Sequence, residues 1–235
     1  MDIVNYMESS PRASRVEPKK RGYDASRRQA DAQQRLRRIV EAATRLFLDK
    51  GFGATSINEI AKAADVSAQT VYATFGSKAA VLARAVDVAI AGDYEDVAMI
   101  DRPRAWASPD SGDLFRMTAQ VARESNARVG PLIRVVESAA GSDPQLEDLR
   151  LQLITGLRAD CAAVLAELPE EILRQDLDLS SAADIAASLA SASMYMTFVA
   201  DMGWSPEKYE DWVAEALTRL LGRSPSDGHP AARKP

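Results

Sequence analysis

Residues 56–78, S-I-N-E-I-A-K-A-A-D-V-S-A-Q-T-V-Y-A-T-F-G-S-K, leave few options for folding. Ser56 and Glu59 have the spacing of a capping box. In that device the hydroxyl accepts from the amide three residues on, and the carboxylate accepts from the cap's own amide. Ile57, Ile60, Ala61 and Ala64 follow on one face at helical spacing. Asp65-Val66 interrupts the face, and Ser67 starts a second helix as its N-cap. Val66 and Val71 flank that cap as a hydrophobic staple, which fixes the entry angle. Two helices so closely joined must cross steeply, as in a helix-turn-helix.

On the second helix Val71 and Phe75 fall together toward a core, with Tyr72 on the border. Gln69, Thr70, Ala73 and Thr74 point away. That outward set is short, polar and uncharged, which suits a groove of DNA better than water. Gln can bond two edges of adenine, and Thr can bond a base or a phosphate. Ser77 caps the next helix and brings Lys78 together with the free amides of its first turn, a phosphate-binding arrangement. The competing reading is a plain helical corner of a larger all-α protein, with Gln and Thr merely exposed.

Charge favours the first reading. The net charge is −5 over 235 residues. Residues 1–84 carry 15 Lys and Arg against 9 Asp and Glu, a net +6, and residues 85–235 carry 14 against 25, a net −11. A basic first third on an acidic chain is the pattern of a nucleic-acid module joined to something else. Ala, Leu and Arg recur, and no alternating β pattern bounded by turns is evident, so the expected fold class is all-α. A single cysteine, Cys161, leaves no intrachain disulfide and fits a reducing compartment. No signal peptide and no run of about 18 uncharged apolar residues are recognised, so the expected location is cytoplasmic, away from membranes.

Gly51-Phe52-Gly53-Ala54-Thr55-Ser56-Ile57, Glu59-Ile60-Ala61, Val66-Ser67, Val71-Tyr72 and Phe75-x-Ser77-Lys78 together resemble the DNA-binding domain of the tetracycline-repressor (TetR) family. The resemblance covers residues 35–91. It implies a homodimeric all-α transcription regulator, most often a repressor released from a palindromic operator by a small apolar or amphipathic ligand, with no cofactor. It also implies dimers paired through the last two long helices as a four-helix bundle. Many members carry Gly at the place of Asp65, and an aromatic followed by His at Ala73 and Thr74. Base reading here therefore falls to Gln69 and Thr70. The expected DNA contacts are Arg35, Arg38, Thr55, Ser56, Ser67, Ala68, Gln69, Thr70, Tyr72, Thr74 and Lys78.

The chain divides into a disordered basic arm (1–30), the DNA-binding domain (31–91), an effector-binding and dimerisation domain (92–222) and a tail (223–235). The arm could lie along phosphates or enter a minor groove, or act only as a solvated tail. Gly130-Pro131 and Gly141-Ser142-Asp143-Pro144 are expected to stop one helix and start the next. A small-residue helix over 181–202 and a last helix from Pro206 to Gly222 are candidates for a dimer seam, through Ala190, Ser193, Tyr209, Trp212, Ala216 and Leu220. Trp106, Phe115, Met117, Val121, Met194, Tyr195 and Phe198 are candidates for a cavity lining. Arg123, Arg134 and Glu137 are possible polar contacts there. No catalytic or metal constellation is recognised: the one histidine, His229, is in the tail, and Glu170-Glu171 sits in a polar connection. An all-α interaction or scaffold protein without specific DNA binding is the alternative.

Overall fold

The computed structural model describes residues 20–92 (main chain alone for 20–28), 114–169 and 172–223. The arm up to residue 19, Trp106, Glu170-Glu171 and the tail with His229 lie outside the described residues. The protein is all-α: among the described residues the only β feature is an isolated bridge between Leu173 and Gly222.

Helix α1 (Lys20–Ala54) begins earlier than the residue 31 expected from sequence. No proline lies between Pro18 and the end of the helix, and Ala, Gln and Arg, all strong helix formers, dominate residues 25–38. The apolar stripe that packs starts at Leu36, Ile39 and Val40. Gly51 breaks the helix near its end with φ 77°, a left-handed conformation that costs glycine nothing. Helices α2 (Ile57–Ala63), α3 (Ala68–Phe75) and α4 (Lys78–Ala91) then follow the expected caps. The amides of Glu59, Thr70 and Ala80 donate to the hydroxyls of Ser56, Ser67 and Ser77.

The capping box is complete and tied to α1. Ser56 donates its amide to Glu59 at 2.9 Å, and Lys50 donates to the same carboxylate at 2.8 Å. Chiefly through the Lys50 bond, and then the Ser56 amide, the Glu59 carboxyl is held at about 2, below its ordinary 4.5. A depressed folded-state pKa stabilises above the ordinary value and ceases to as pH falls through the folded one. The α1–α2 junction is therefore expected to loosen between about pH 4.5 and 2. An NMR titration of the Glu59 carboxyl checks this, and a midpoint near 4.5 would contradict it.

Helix α5 (Leu114–Ala140) runs unbroken through Gly130-Pro131, where two helices were expected. Proline removes one amide donor, and the neighbouring turns keep theirs. The glycine has a packing reason: an ideal Cβ on Gly130 would meet Met196 Sδ at 2.6 Å. The stop at Gly141 is real, and Asp143 caps α6 (Pro144–Ala166) by accepting from Gln145 N at 2.9 Å.

The expected single helix over 181–202 is three pieces: α7 (Leu179–Leu189), α8 (Ala192–Tyr195) and a π-helical turn (Met196–Asp201). Ser191 caps α8 by accepting from Met194 N, so a serine read as small-residue filler acts as punctuation. Helix α9 (Pro206–Leu221) starts at the Ser205 cap. Taken together, α7, α8 and the π-helical turn, Leu179–Asp201, have the length and mean hydropathy (1.2) of a membrane span, although Asp184 interrupts the uncharged run, and 28% of the apolar window is buried.

One apolar core joins α1–α4 to α5 and α6, and includes Phe47, Ile60, Val71 and Leu82 together with Leu132, Val136 and Leu146. A second core gathers α7, α8 and α9 around Tyr209. Helix α5 takes part in both. Arg128 of α5 also caps α4, donating to Ala89 O at 3.1 Å and Ile90 O at 3.4 Å.

Candidate DNA interface and effector cavity

The recognition surface is built from α3. Val71 is fully buried and Phe75 half-buried, which turns Gln69, Ala73 and Thr74 outward as expected, while Thr70 is half-buried and Tyr72, expected on the border, is exposed. Tyr72 is 53% exposed, unusual for an apolar ring on a solvated helix and suited to lie against a sugar-phosphate edge. Thr74 donates to Thr70 O at 2.8 Å, so its methyl, or its lone pairs, remain for a partner. Ser67 Oγ and Thr70 Oγ1 lie 2.8 Å apart. Ser56 is exposed, Ala68 half-buried, and Arg35 and Arg38 project from α1.

Two of the expected contacts are placed differently. Thr55 is 2% exposed, and its hydroxyl hydrogen-bonds Gly51 O at 2.8 Å and Leu46 O at 3.2 Å. It closes the left-handed exit of α1 from within and does not face DNA. Lys78 turns inward: its ammonium donates to Phe52 O at 2.6 Å and Thr55 O at 2.7 Å, and lies 4.1 Å from the centre of the Phe52 ring. Burial lowers its pKa, opposed by the carboxylate of Asp143 on the α5–α6 corner. The side chain is a tie between α4 and the end of α1.

The turn between α2 and α3 holds Asp65 at φ 54°, where the left-handed region costs a side chain about 1 kcal/mol. Arg38 approaches Asp65 at 3.9 Å, a pair too exposed to offset that. Asp65→Gly is expected to raise stability by about 0.5–1 kcal/mol, read from urea unfolding. An unchanged or lower midpoint would show that the Asp65 side chain holds the turn.

Two adjoining cavities lie between α4, α5 and α6, the larger closed also by α8 and the smaller by α7 and α9. The larger, about 630 Å³, is an open groove edged by Arg84, Asp87, Glu137, Arg150 and Asp160. The smaller, about 200 Å³, is walled by Phe115, Val121, Leu157, Cys161, Val164 and Leu217. Both are lined by Ile90, Ser125, Asn126, Leu157 and Asp160. Burial pushes the Cys161 thiol up to about 11, so that wall stays uncharged. Of the expected lining residues, Phe115 and Val121 reach the smaller cavity.

Met117, Met194, Tyr195 and Phe198 line neither cavity. Tyr195 and Phe198 belong to an aromatic cluster with Trp204, Tyr209 and Trp212, in which Tyr195 meets Tyr209 edge-on at 5.1 Å. Arg123 pairs with Glu210 at 2.6 Å, and Arg134 with Asp201, both away from the cavities. The lining that sequence reading missed comes largely from α6, whose apolar residues fall on more than one face. That spread, and a lone amide at 126 on the buried stripe of α5, were the available signals.

Comparison with known proteins matches residues 39–85 to the family described as bacterial regulatory proteins, tetR family. That match spans the end of α1 through α4, with the recognition helix inside it. These residues carry the helix-turn-helix of TetR-family transcriptional regulators. The HTH-type transcriptional regulator YdeS of Bacillus subtilis (strain 168) is 29% identical over 153 residues, covering 63% of this chain and 71% of that protein. In fold, the chain resembles NalD, the secondary repressor of the MexAB-OprM multidrug efflux pump in Pseudomonas aeruginosa. That likeness has a TM-score of 0.61 at 17% identity and covers 82% of this chain and 98% of NalD. A transcriptional regulator from Rhodococcus sp. Rha1 aligns with TM-score 0.55 at 17% identity, over 81% of this chain and 99% of that one. That match supports a DNA-binding transcriptional regulator rather than an enzyme.

Proposed function

We propose that this regulator binds a two-fold symmetric operator as a homodimer, acts as a repressor, and is released when a small apolar or amphipathic ligand enters the paired cavities. The observation that carries the reading is the course of α4. Its first turn is tied to the helix-turn-helix through Lys78, and its last turns, with Arg84, Asp87 and Ile90, wall the groove. A ligand that separates α4 from α5 moves the recognition helix. Because the two helices share a packed core, such a shift has discrete end states, and the effector selects the one with lower operator affinity.

One recognition helix reads too few base pairs to select a genomic site, so a second copy is required. The seam is drawn on the surface of α9 and the π-helical turn. Trp212 and Ala216 are half-buried, and Leu220 and Met202 are 43% and 60% exposed. Two expected seam residues are withdrawn: Tyr209 is 0% exposed and Ala190 8%, both inside the protomer. Ser193 is exposed and donates to Glu137 at 2.5 Å. The large unburied apolar share of Leu179–Asp201 is surface that a second copy can cover.

Sequencing the genomic fragments retained by the purified protein tests the whole reading. The expected result is a palindrome with half-sites one helical turn, about 34–36 Å, apart or a multiple of it. Sedimentation at micromolar concentration should show a dimer. A monomer that binds such a palindrome tightly would reject the seam. Gln69→Ala is expected to relax preference at one base pair by about 1–3 kcal/mol, measured by competition among single-base operator variants. A uniform loss across all variants would make Gln69 a backbone contact instead.

A further inference from the structure

Asn126 lies on the wall common to both cavities, on the buried stripe of α5, and is 6% exposed. Its Nδ2 donates to Ala190 O at 2.8 Å. A carbonyl partner needs a donor, so this bond fixes which end of the amide is which. The outward-facing end is the Oδ1 acceptor. Among the described residues nothing donates to it, and Asn126 is not among those with further contacts. No described buried side-chain oxygen is both closed off and unpartnered, so Oδ1 reaches open space. A buried acceptor left without a donor costs free energy, and one that opens on a cavity is answered by whatever fills it.

The surroundings narrow the ligand further. Below Asn126 the smaller cavity is apolar, with Val121, Leu157 and Leu217 in its wall and an uncharged thiol at Cys161. Above it the groove carries three carboxylates (Asp87, Glu137 and Asp160) against two guanidinium groups (Arg84 and Arg150). Arg150 already holds Glu147, with its Nε and Nη2 at 2.8 and 2.6 Å. A carboxylate or phosphate ligand would meet a net negative rim without a dedicated cation.

We infer that Asn126 is the specificity-determining residue of the effector site, and that the effector is an uncharged, compact apolar molecule with one hydrogen-bond donor, of the phenol or aryl-alcohol class. This rests on the effector reading above. The donor sits on Oδ1, and the ring fills the smaller cavity. The amide that receives it is the same one that holds Ala190, the C-cap of α7 at the α7–α8 break. Ligand binding is therefore sensed at that break as well as along α5.

The test is calorimetric titration of the full-length protein with three probes of similar size: para-propylphenol, its methyl ether para-propylanisole, and para-propylbenzoate. The wild type is expected to bind the phenol about ten- to a hundredfold more tightly than the ether, because the ether leaves Oδ1 unpartnered. The benzoate should bind weakest. Asn126→Leu should bring phenol and ether to within about twofold of one another. The wild-type comparison needs no variant, so it stands even where Asn126→Leu fails to fold.

Equal binding of phenol and ether by the wild type would overturn the assignment to Asn126. If both then released operator, the effector cavity itself would survive. A preference that persisted in Asn126→Leu would place the acceptor elsewhere. Failure of all three probes to bind would also overturn the inference, while operator selection would still decide the regulatory reading independently.

Discussion

Tyr209→Ala is expected to lower the unfolding free energy by about 3–5 kcal/mol, the range for removing a large buried aromatic. That is a large part of what a domain of this kind has to lose. The ring is among the largest wholly buried side chains, and sits edge-on to Tyr195 at 5.1 Å and 6.2 Å from both Phe198 and Trp212. Its hydroxyl donates to Leu189 O at 2.7 Å near the C-terminal end of α7, and burial keeps the phenol protonated. Truncation leaves a cavity and an orphaned carbonyl. Tyr209→Phe isolates the second effect and should cost about 1–2 kcal/mol. Urea unfolding followed by circular dichroism measures both. A Tyr209→Ala protein that kept its stability and merely lost its partner would return Tyr209 to the dimer seam.

Lys78→Ala should cost about 2–3 kcal/mol of stability, the scale of hydrogen bonds from a charged donor to carbonyls that are then left bare. The ammonium closes the end of α1 through Phe52 O and Thr55 O and covers the Phe52 ring, so its loss frees the first turn of α4 from the helix-turn-helix. DNA affinity should fall with it, since the recognition helix is no longer held in place against α4. The measurement pairs a denaturation curve with the salt dependence of duplex binding. An unaltered midpoint, with the salt slope lowered by about one unit, would instead make Lys78 a phosphate ligand as the sequence suggested.

The contrast between Ser77 and Lys78 shows where sequence reading reached and where it stopped. Caps are local: Ser56, Ser67 and Ser77 each bond an amide three residues on, so spacing alone locates α2, α3 and α4. Lys78 bonds carbonyls 26 and 23 residues away, which only the folded corner brings within reach. Thr55 is similar, because its burial depends on the left-handed exit at Gly51. In the second half the punctuation residues misled. Gly130-Pro131 has the letters of a break, yet the glycine is there to admit Met196. Ser191 sits in a run of Ala and Ser with no local sign that it, and not Ser188 or Ser193, starts a new helix. The cavity was least legible, because it is lined from five helices and no single periodicity contains it.

The continuity of the first core limits how such a protein can be rebuilt or recombined. A boundary after Gly92 looks clean in sequence, but Leu132, Val136 and Leu146 lie on the far side of it and belong to the same packed interior as Phe47 and Leu82. Cut there, the reader head would present an apolar scar to water. Joined to a foreign sensor, it would meet side chains of the wrong shape. Exchange of sensors among such regulators must therefore carry the α5–α6 corner along with the helix-turn-helix, or re-cut that surface residue by residue. On the proposed effector reading, new specificity is reached more readily by changing the lining of the cavities, whose walls at Val121, Leu157 and Leu217 lie outside that shared interior.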